Sequence, residues 1–179
     1  FILGALNRGG TESLILDICR RVERCPFDVV CIYRKEGSLS EEFHKTNASL
    51  INIPKVGGWL HYIWNLRRVF TQEKIDIIHS QTPSNTLVLS VAILGLQIKL
   101  LTSFHGHSFA HANRLKRKIV YNQSKKIICV SESQKKYYQE HWHLANDNKI
   151  EVVYNGIDTS KFEQTELLRP KVLNNTPLS

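Results

Sequence analysis

Short apolar runs alternate along this chain with longer segments in which apolar residues recur every three or four positions. The runs fall at 1–6, 28–33, 49–53, 75–79, 99–104, 126–130 and 151–153, and their brevity and flanking turn residues predict seven buried β-strands. Between them, Leu14, Ile15, Ile18 and Val22 mark one face of a first helix, and Trp59, Tyr62, Ile63, Leu66, Val69 and Phe70 a broad stripe on another. Further helices are expected over 84–94, 115–123 and 131–141. This alternation predicts an α/β fold: a Rossmann-like, doubly wound, mostly parallel sheet of about seven strands with helices on both faces. The Trp-rich helix has two readings, packing on the sheet or facing lipid, and packing is the expected one.

At 179 residues, the chain suits one domain with a tail, and 42% hydrophobic with 22% charged residues is a globular composition. The 24 Lys and Arg against 16 Asp and Glu leave a net charge of +8, which favours an anionic partner such as a nucleotide, a phosphorylated substrate or an acidic lipid surface. The cations are densest at Arg67 and Arg68, over 114–118, and at Lys125 and Lys126. These read first as solvated helix faces and second as a patch for peripheral contact with an anionic membrane. Nucleic acid is not an expected partner, because no recognition motif accompanies the charge. Cys19, Cys25, Cys31 and Cys129 form no CxxC pair and read as reduced core cysteines. No leader pattern is visible and the apolar runs are too short or interrupted to span a bilayer, so the expected location is cytoplasmic, with the inner membrane face as the alternative. Phe1 is not an initiator methionine, and the chain reads as a piece of a longer protein.

Three stretches carry candidate chemistry. In "GALNRGGTESLILDI" a strand leads through Gly9 and Gly10 into an amphipathic helix, where backbone N–H groups and the helix dipole suit a phosphate. The competing reading is a tight turn needing positive φ, with Thr11 capping the helix. The spacing is neither a dinucleotide fingerprint nor a Walker loop. In "LTSFHGHS", His105 follows a strand directly, where an imidazole can bond a substrate hydroxyl or a developing charge; a loop histidine satisfied by backbone is the plainer reading. His105 with His107 also has the HxH spacing of some metal sites, but no matching ligand set follows. In "IEVVYNGIDTSKF", Asn155 and Gly156 signal a turn after a strand, with Asp158 as a turn acceptor and Phe162 docking back on the domain.

Taken in order, "RGGTE", "DIIHSQTPSN", "LTSFHGHS", "KKIICVSESQKKYY" and "VVYNGIDTSKF" resemble the N-terminal domain of family-4 glycosyltransferases of the GT-B fold, over nearly the whole chain. The resemblance implies the acceptor-side half of an enzyme that moves a sugar from a nucleotide-sugar donor to a polysaccharide or glycolipid acceptor, with retention and without a metal or other cofactor. It implies that Gly9 and Gly10 close over the donor diphosphate and that His105 is the catalytic residue. Thr11, His79, Gly106 and Asn155 would bind substrate beside them. It divides the chain into a domain over 1–160 and a linker over 161–179, toward a C-terminal donor-binding domain outside this sequence. Two positions depart from the family pattern. Gln81 stands where a His or Asp is frequent, and Tyr154 replaces the usual Pro before Asn155 and Gly156. The competing functions are a non-catalytic nucleotide- or phosphate-binding α/β module and, after it, a metal-dependent hydrolase using His105 and His107.

Overall fold

The computed structural model describes residues 1–24, 26–143 and 148–156. Cys25, Asp158, Phe162 and the expected linker over 161–179 lie outside the described residues. Among the described residues six strands form: β1 (Val30–Tyr33), β2 (Ser49–Asn52), β3 (Ile77–Ser80), β4 (Lys99–Phe104), β5 (Ser124–Cys129) and β6 (Ile150–Val152). Every pairing is parallel, β1 with β2 on one side and β3-β4-β5-β6 in order on the other.

The first expected strand is replaced by something less regular. Segment 1–6 lies between the two sets and joins them through bridges of Ile2 to Ile32 and Ser80 and of Ala5 to Lys35. It exchanges backbone hydrogen bonds with the β1 side, among them Leu3 to Ile32 and Ile32 to Phe1. Its backbone pairing with β3 is confined to one bridge, so the segment is an extended connector. Strand order nevertheless reverses at this segment, because the chain first moves outward through β1 and β2 and then returns to β3. That reversal is where a doubly wound sheet opens its ligand crevice.

Helices α1 (Gly10–Cys19), α2 (Ser40–His44), α3 (Gly58–Gln72), α4 (Pro83–Ala92), α5 (Arg114–Gln123) and α6 (Glu132–Trp142) cover the sheet. The short α2 was not expected, since five residues give too little periodicity to register. Local chemistry sets several boundaries. Thr82, Asn113 and Ser131 each accept a hydrogen bond from a first-turn N–H of α4, α5 and α6, and Pro83 begins α4 where its missing N–H costs nothing. β5 starts two residues before the expected 126, because α5 ends at Gln123 and Ser124 is already extended.

Alternation along the strands divides the core between faces. Ile2, Ile32 and Ile78 pack with Tyr62, Leu66 and Phe70 of α3 and Leu89 and Ala92 of α4. Leu3, Leu6, Cys31 and Tyr33 point the other way, against Ile15, Leu16 and Cys19 of α1 and Phe43 of α2. Phe104, Ile127 and Cys129 meet Val120 of α5 and Tyr138 of α6. Buried hydroxyls tie the α4 side together: Thr102 lies 2.9 Å from the Thr86 hydroxyl and 2.7 Å from that of Ser124. Cys19, Cys31 and Cys129 are buried and free. The expected stripe on α3 holds for Tyr62, Leu66 and Phe70, but Trp59 is half exposed because it sits in the first turn, beyond the reach of the sheet.

Candidate active site at the carboxyl edge of the sheet

Since Ile78 faces α3, its neighbour His79 faces α1, and the same alternation turns Ser103 and Ile128 to that side. These side chains, with Gln81, His105, Asn155, Gly156 and the exposed flank of α1, line a cavity of about 570 Å³ at the carboxyl ends of the strands. Of the residues expected from sequence, His79, His105 and Asn155 meet here. Gly9, Gly10 and Thr11 stand at the start of α1 outside the lining, although the Glu12 carboxylate of the same turn acts on the charge of His105. Gly106 is turned away: its carbonyl accepts from the Tyr138 hydroxyl at 2.8 Å and from the Gln134 amide at 3.3 Å, which fastens the loop after β4 to α6.

The glycines do not serve the turn anticipated for them. Gly9 is the N-cap with φ −148° and ψ 167°, an extended conformation open to any residue, and Thr11 makes no capping bond. A side chain at Gly9 would meet the Glu12 carboxylate, whereas one at Gly10 meets open space. Gly10 therefore leaves backbone uncovered beside the crevice without any steric need for glycine.

His105 Nε2 lies 3.0 Å from Gln81 Oε1. Burial holds its imidazole below the usual value, against an opposing pull from Glu12, so it is neutral at pH 7 and offers a hydrogen bond rather than a charge. Gln81 is only 3% exposed, and its Nε2 is buried without a partner. Turning the amide over would hand Nε2 to His105 and leave the oxygen alone instead. Among the described residues, three buried side-chain atoms lack a partner, and this one belongs to the crevice. An unpaired buried amide costs roughly 1–3 kcal/mol. The sequence marked position 81 only as a departure from a family pattern; the signal that it mattered was its place just past β3 at the point of reversal.

His79 lies 2.7 Å from the Ser103 hydroxyl. Burial pushes its imidazole down to about 4. The unfolded chain takes up this proton near pH 6.5. Its contribution to stability is thus full above pH 6.5 and is lost as pH falls from 6.5 to about 4, by roughly 3 kcal/mol. Urea denaturation at pH 7.5 and pH 4.5 should show a smaller acid loss for His79→Gln than for the parent; equal losses would contradict this. His107 and His111 turn from the crevice to α6: the His107 ring is 4.4 Å from that of Tyr137, and His111 Nε2 is 3.1 Å from the Tyr137 hydroxyl.

The family described as Glycosyltransferase Family 4 matches residues 8–161. Among solved structures, a glycosyltransferase from Rickettsia africae ESF-5 aligns over 98% of this chain and 46% of its own, at 21% identity and a TM-score of 0.70. Anabaena HepE in complex with UDP and glucose aligns over 93% and 49%, at 15% identity and a TM-score of 0.68. The lipopolysaccharide outer core galactosyltransferase WaaB in its apo form aligns over 88% and 46%, at 12% identity and a TM-score of 0.62. No curated protein matches the sequence. The chain spans about half the length of these solved structures, and identities so low carry the fold alone. The fold is the Rossmann-like half of a GT-B architecture, and the match over 8–161 settles the family: the chain belongs to Glycosyltransferase Family 4.

Proposed function

We propose that this domain is the acceptor side of a retaining transferase that moves a sugar from a nucleotide-sugar to a saccharide or lipid-linked acceptor. The observation that carries the reading is the His105–Gln81 pair on the crevice floor, a neutral imidazole held by an amide whose own bonding is incomplete. Such a pair suits the hydroxyls of a sugar, which donate and accept at once. A neutral His105 orients the reacting sugar by hydrogen bonding and spreads charge as the bond to the leaving diphosphate lengthens. In this reading Gly9 and Gly10, at the start of α1, let the backbone approach that diphosphate once the Glu12 carboxylate moves aside. The net charge of +8 favours such a donor, and HepE, of the same fold, binds UDP and glucose. Retention and the absence of a metal requirement follow the family resemblance.

Two experiments test the division of labour. The full-length protein should turn over a nucleotide-sugar while residues 1–179 alone fold but do not; turnover by the shorter chain would overturn the assignment of donor binding to a second domain. Gly10→Val, whose Cβ would meet open space, should leave melting nearly unchanged and lower donor kcat/KM by on the order of tenfold or more. Unchanged donor kinetics would make the glycine pair a structural turn alone.

A further inference from the structure

Gly37 differs from the glycines of the crevice in that its lack of a side chain is enforced. A Cβ there would stand 2.5 Å from the carbonyl carbon and oxygen of Leu6 and 2.4 Å from the Asn7 side-chain oxygen. At Gly9 it would meet only the movable Glu12 carboxylate, and at Gly10 nothing. Gly37 is not among the glycines with positive φ, which are Gly57, Gly58 and Gly95, so close approach rather than backbone angle demands it.

The contact joins two loops. Gly37 lies in the turn after β1, at the carboxyl edge of the sheet, while Leu6 and Asn7 lead into Gly9, Gly10 and α1. Hydrogen bonds fasten the loops around it: Leu6 N–H donates to the Lys35 carbonyl at 3.1 Å, Leu39 N–H to the Leu6 carbonyl at 2.8 Å and Arg8 N–H to the Ser38 hydroxyl at 3.0 Å. The Arg8 guanidinium also pairs with Glu42 of α2 at 3.2 Å, on an exposed surface where ion pairs contribute little. The turn itself is braced, because Gly37 N–H donates to the Ser40 hydroxyl at 2.7 Å and Leu39 and Phe43 are buried in the core. The lead into α1 is thus held against a fixed support, one residue before Gly9.

We propose that Gly37 and Ser38 are positioning residues of the transferase: they set where the backbone of Gly9 and Gly10 stands, and with it the reach of that backbone to the diphosphate of a nucleotide-sugar. The inference rests on the transferase reading, in which those glycines meet the donor. An alanine at position 37 drives the loops apart by close to an ångström before its Cβ reaches an ordinary contact of 3.4 Å. A misplacement of that size costs on the order of tenfold to 10²-fold at a site that depends on geometry. Loss of the Ser38 hydroxyl acts more gently. It releases Arg8 N–H, which is exposed and passes to water, so the fold is little affected while fewer molecules hold the loop in place for the donor.

The test is isothermal titration of the full-length protein with UDP, GDP, ADP and dTDP, each of which carries the diphosphate without a sugar, beside a melting curve for every variant. Ser38→Ala is expected to weaken the tightest of the four by about threefold or more, the worth of a single hydrogen bond, with melting nearly unchanged. Ser38→Thr keeps the hydroxyl and should bind as the parent does. Gly37→Ala should weaken binding by on the order of tenfold or more, with some fall in melting. Gly10→Val is the reference that separates this role from the reading beneath it. If Gly10→Val weakens binding while Ser38→Ala and Gly37→Ala bind as the parent does, the positioning role is overturned and the transferase reading stands. Equal weakening by Ser38→Ala and Ser38→Thr would also overturn it, since the hydroxyl would then be irrelevant. Parent affinity in Gly10→Val, or a parent that binds none of the four, would overturn both.

Discussion

In the full-length protein, His105→Ala is expected to lower turnover by about 10²-fold or more while moving the melting temperature by only a few degrees. The asymmetry follows from where the imidazole is spent. It is half-buried on the floor of the cavity, and its one side-chain hydrogen bond among the described residues is to Gln81. A positioned hydrogen bond that strengthens as charge develops is worth far more to the transition state than to folding. His107 and His111 serve as comparators, because each contacts Tyr137 and neither faces the crevice. Their alanine variants should lose a little packing and little rate. Gln81→Leu refines the comparison. It removes the unpaired amide and so leaves stability level or improved, yet should lower turnover, since His105 loses the partner that orients it. Equal, small rate losses for all three histidines would sink the assignment, and a large fall in melting for His105→Ala alone would make it a structural residue.

Phe104→Ala is expected to cost about 3–5 kcal/mol, the largest stability effect near the site. Phe104 is wholly buried and edge-on to Tyr138 at 4.4 Å and to Trp142 at 5.5 Å, with Phe109 at 6.3 Å. Removing it leaves three aromatic rings around a void that α6 cannot close without moving. Because Phe104 ends β4, one residue before His105, the loss also loosens the crevice floor. Tyr138→Phe separates the two effects. It keeps the ring and deletes the hydroxyl, with its hydrogen bond to the Gly106 carbonyl and the one it receives from the Phe109 backbone, for a cost of about 1–2 kcal/mol. Urea denaturation of both variants measures the contrast; a loss for Phe104→Ala below about 1 kcal/mol would show that the cluster collapses freely.

Much of the architecture was legible in the alternation of short apolar runs with helical periods. β1 to β6 fall within a few residues of the runs at 28–33, 49–53, 75–79, 99–104, 126–130 and 151–153. Segment 1–6 was legible as buried but not as irregular, since its pairing with β3 through Ile2 alone depends on contacts that no local pattern encodes. Trp59 was misplaced because periodicity describes a helix of unlimited length, while the first turn of α3 projects past the sheet. Position decided the site. His105 was legible from its place at a strand end and His79 only through the family resemblance, whereas the direction of the Gly106 carbonyl toward α6 required the packing of Tyr138. The Gln81–His105 bond joins residues 24 apart and was invisible to any motif.

Following the label of a ¹⁴C-sugar nucleotide, incubated with the full-length protein and membranes that supply acceptor, is the most direct measurement of the central claim. The account predicts that label leaves the nucleotide and appears covalently on a saccharide or lipid-linked acceptor, and that His105→Ala slows this transfer about 10²-fold or more. Binding of nucleotide-sugars with no movement of label, across donors and acceptor fractions, would contradict it and establish a binding module in its place.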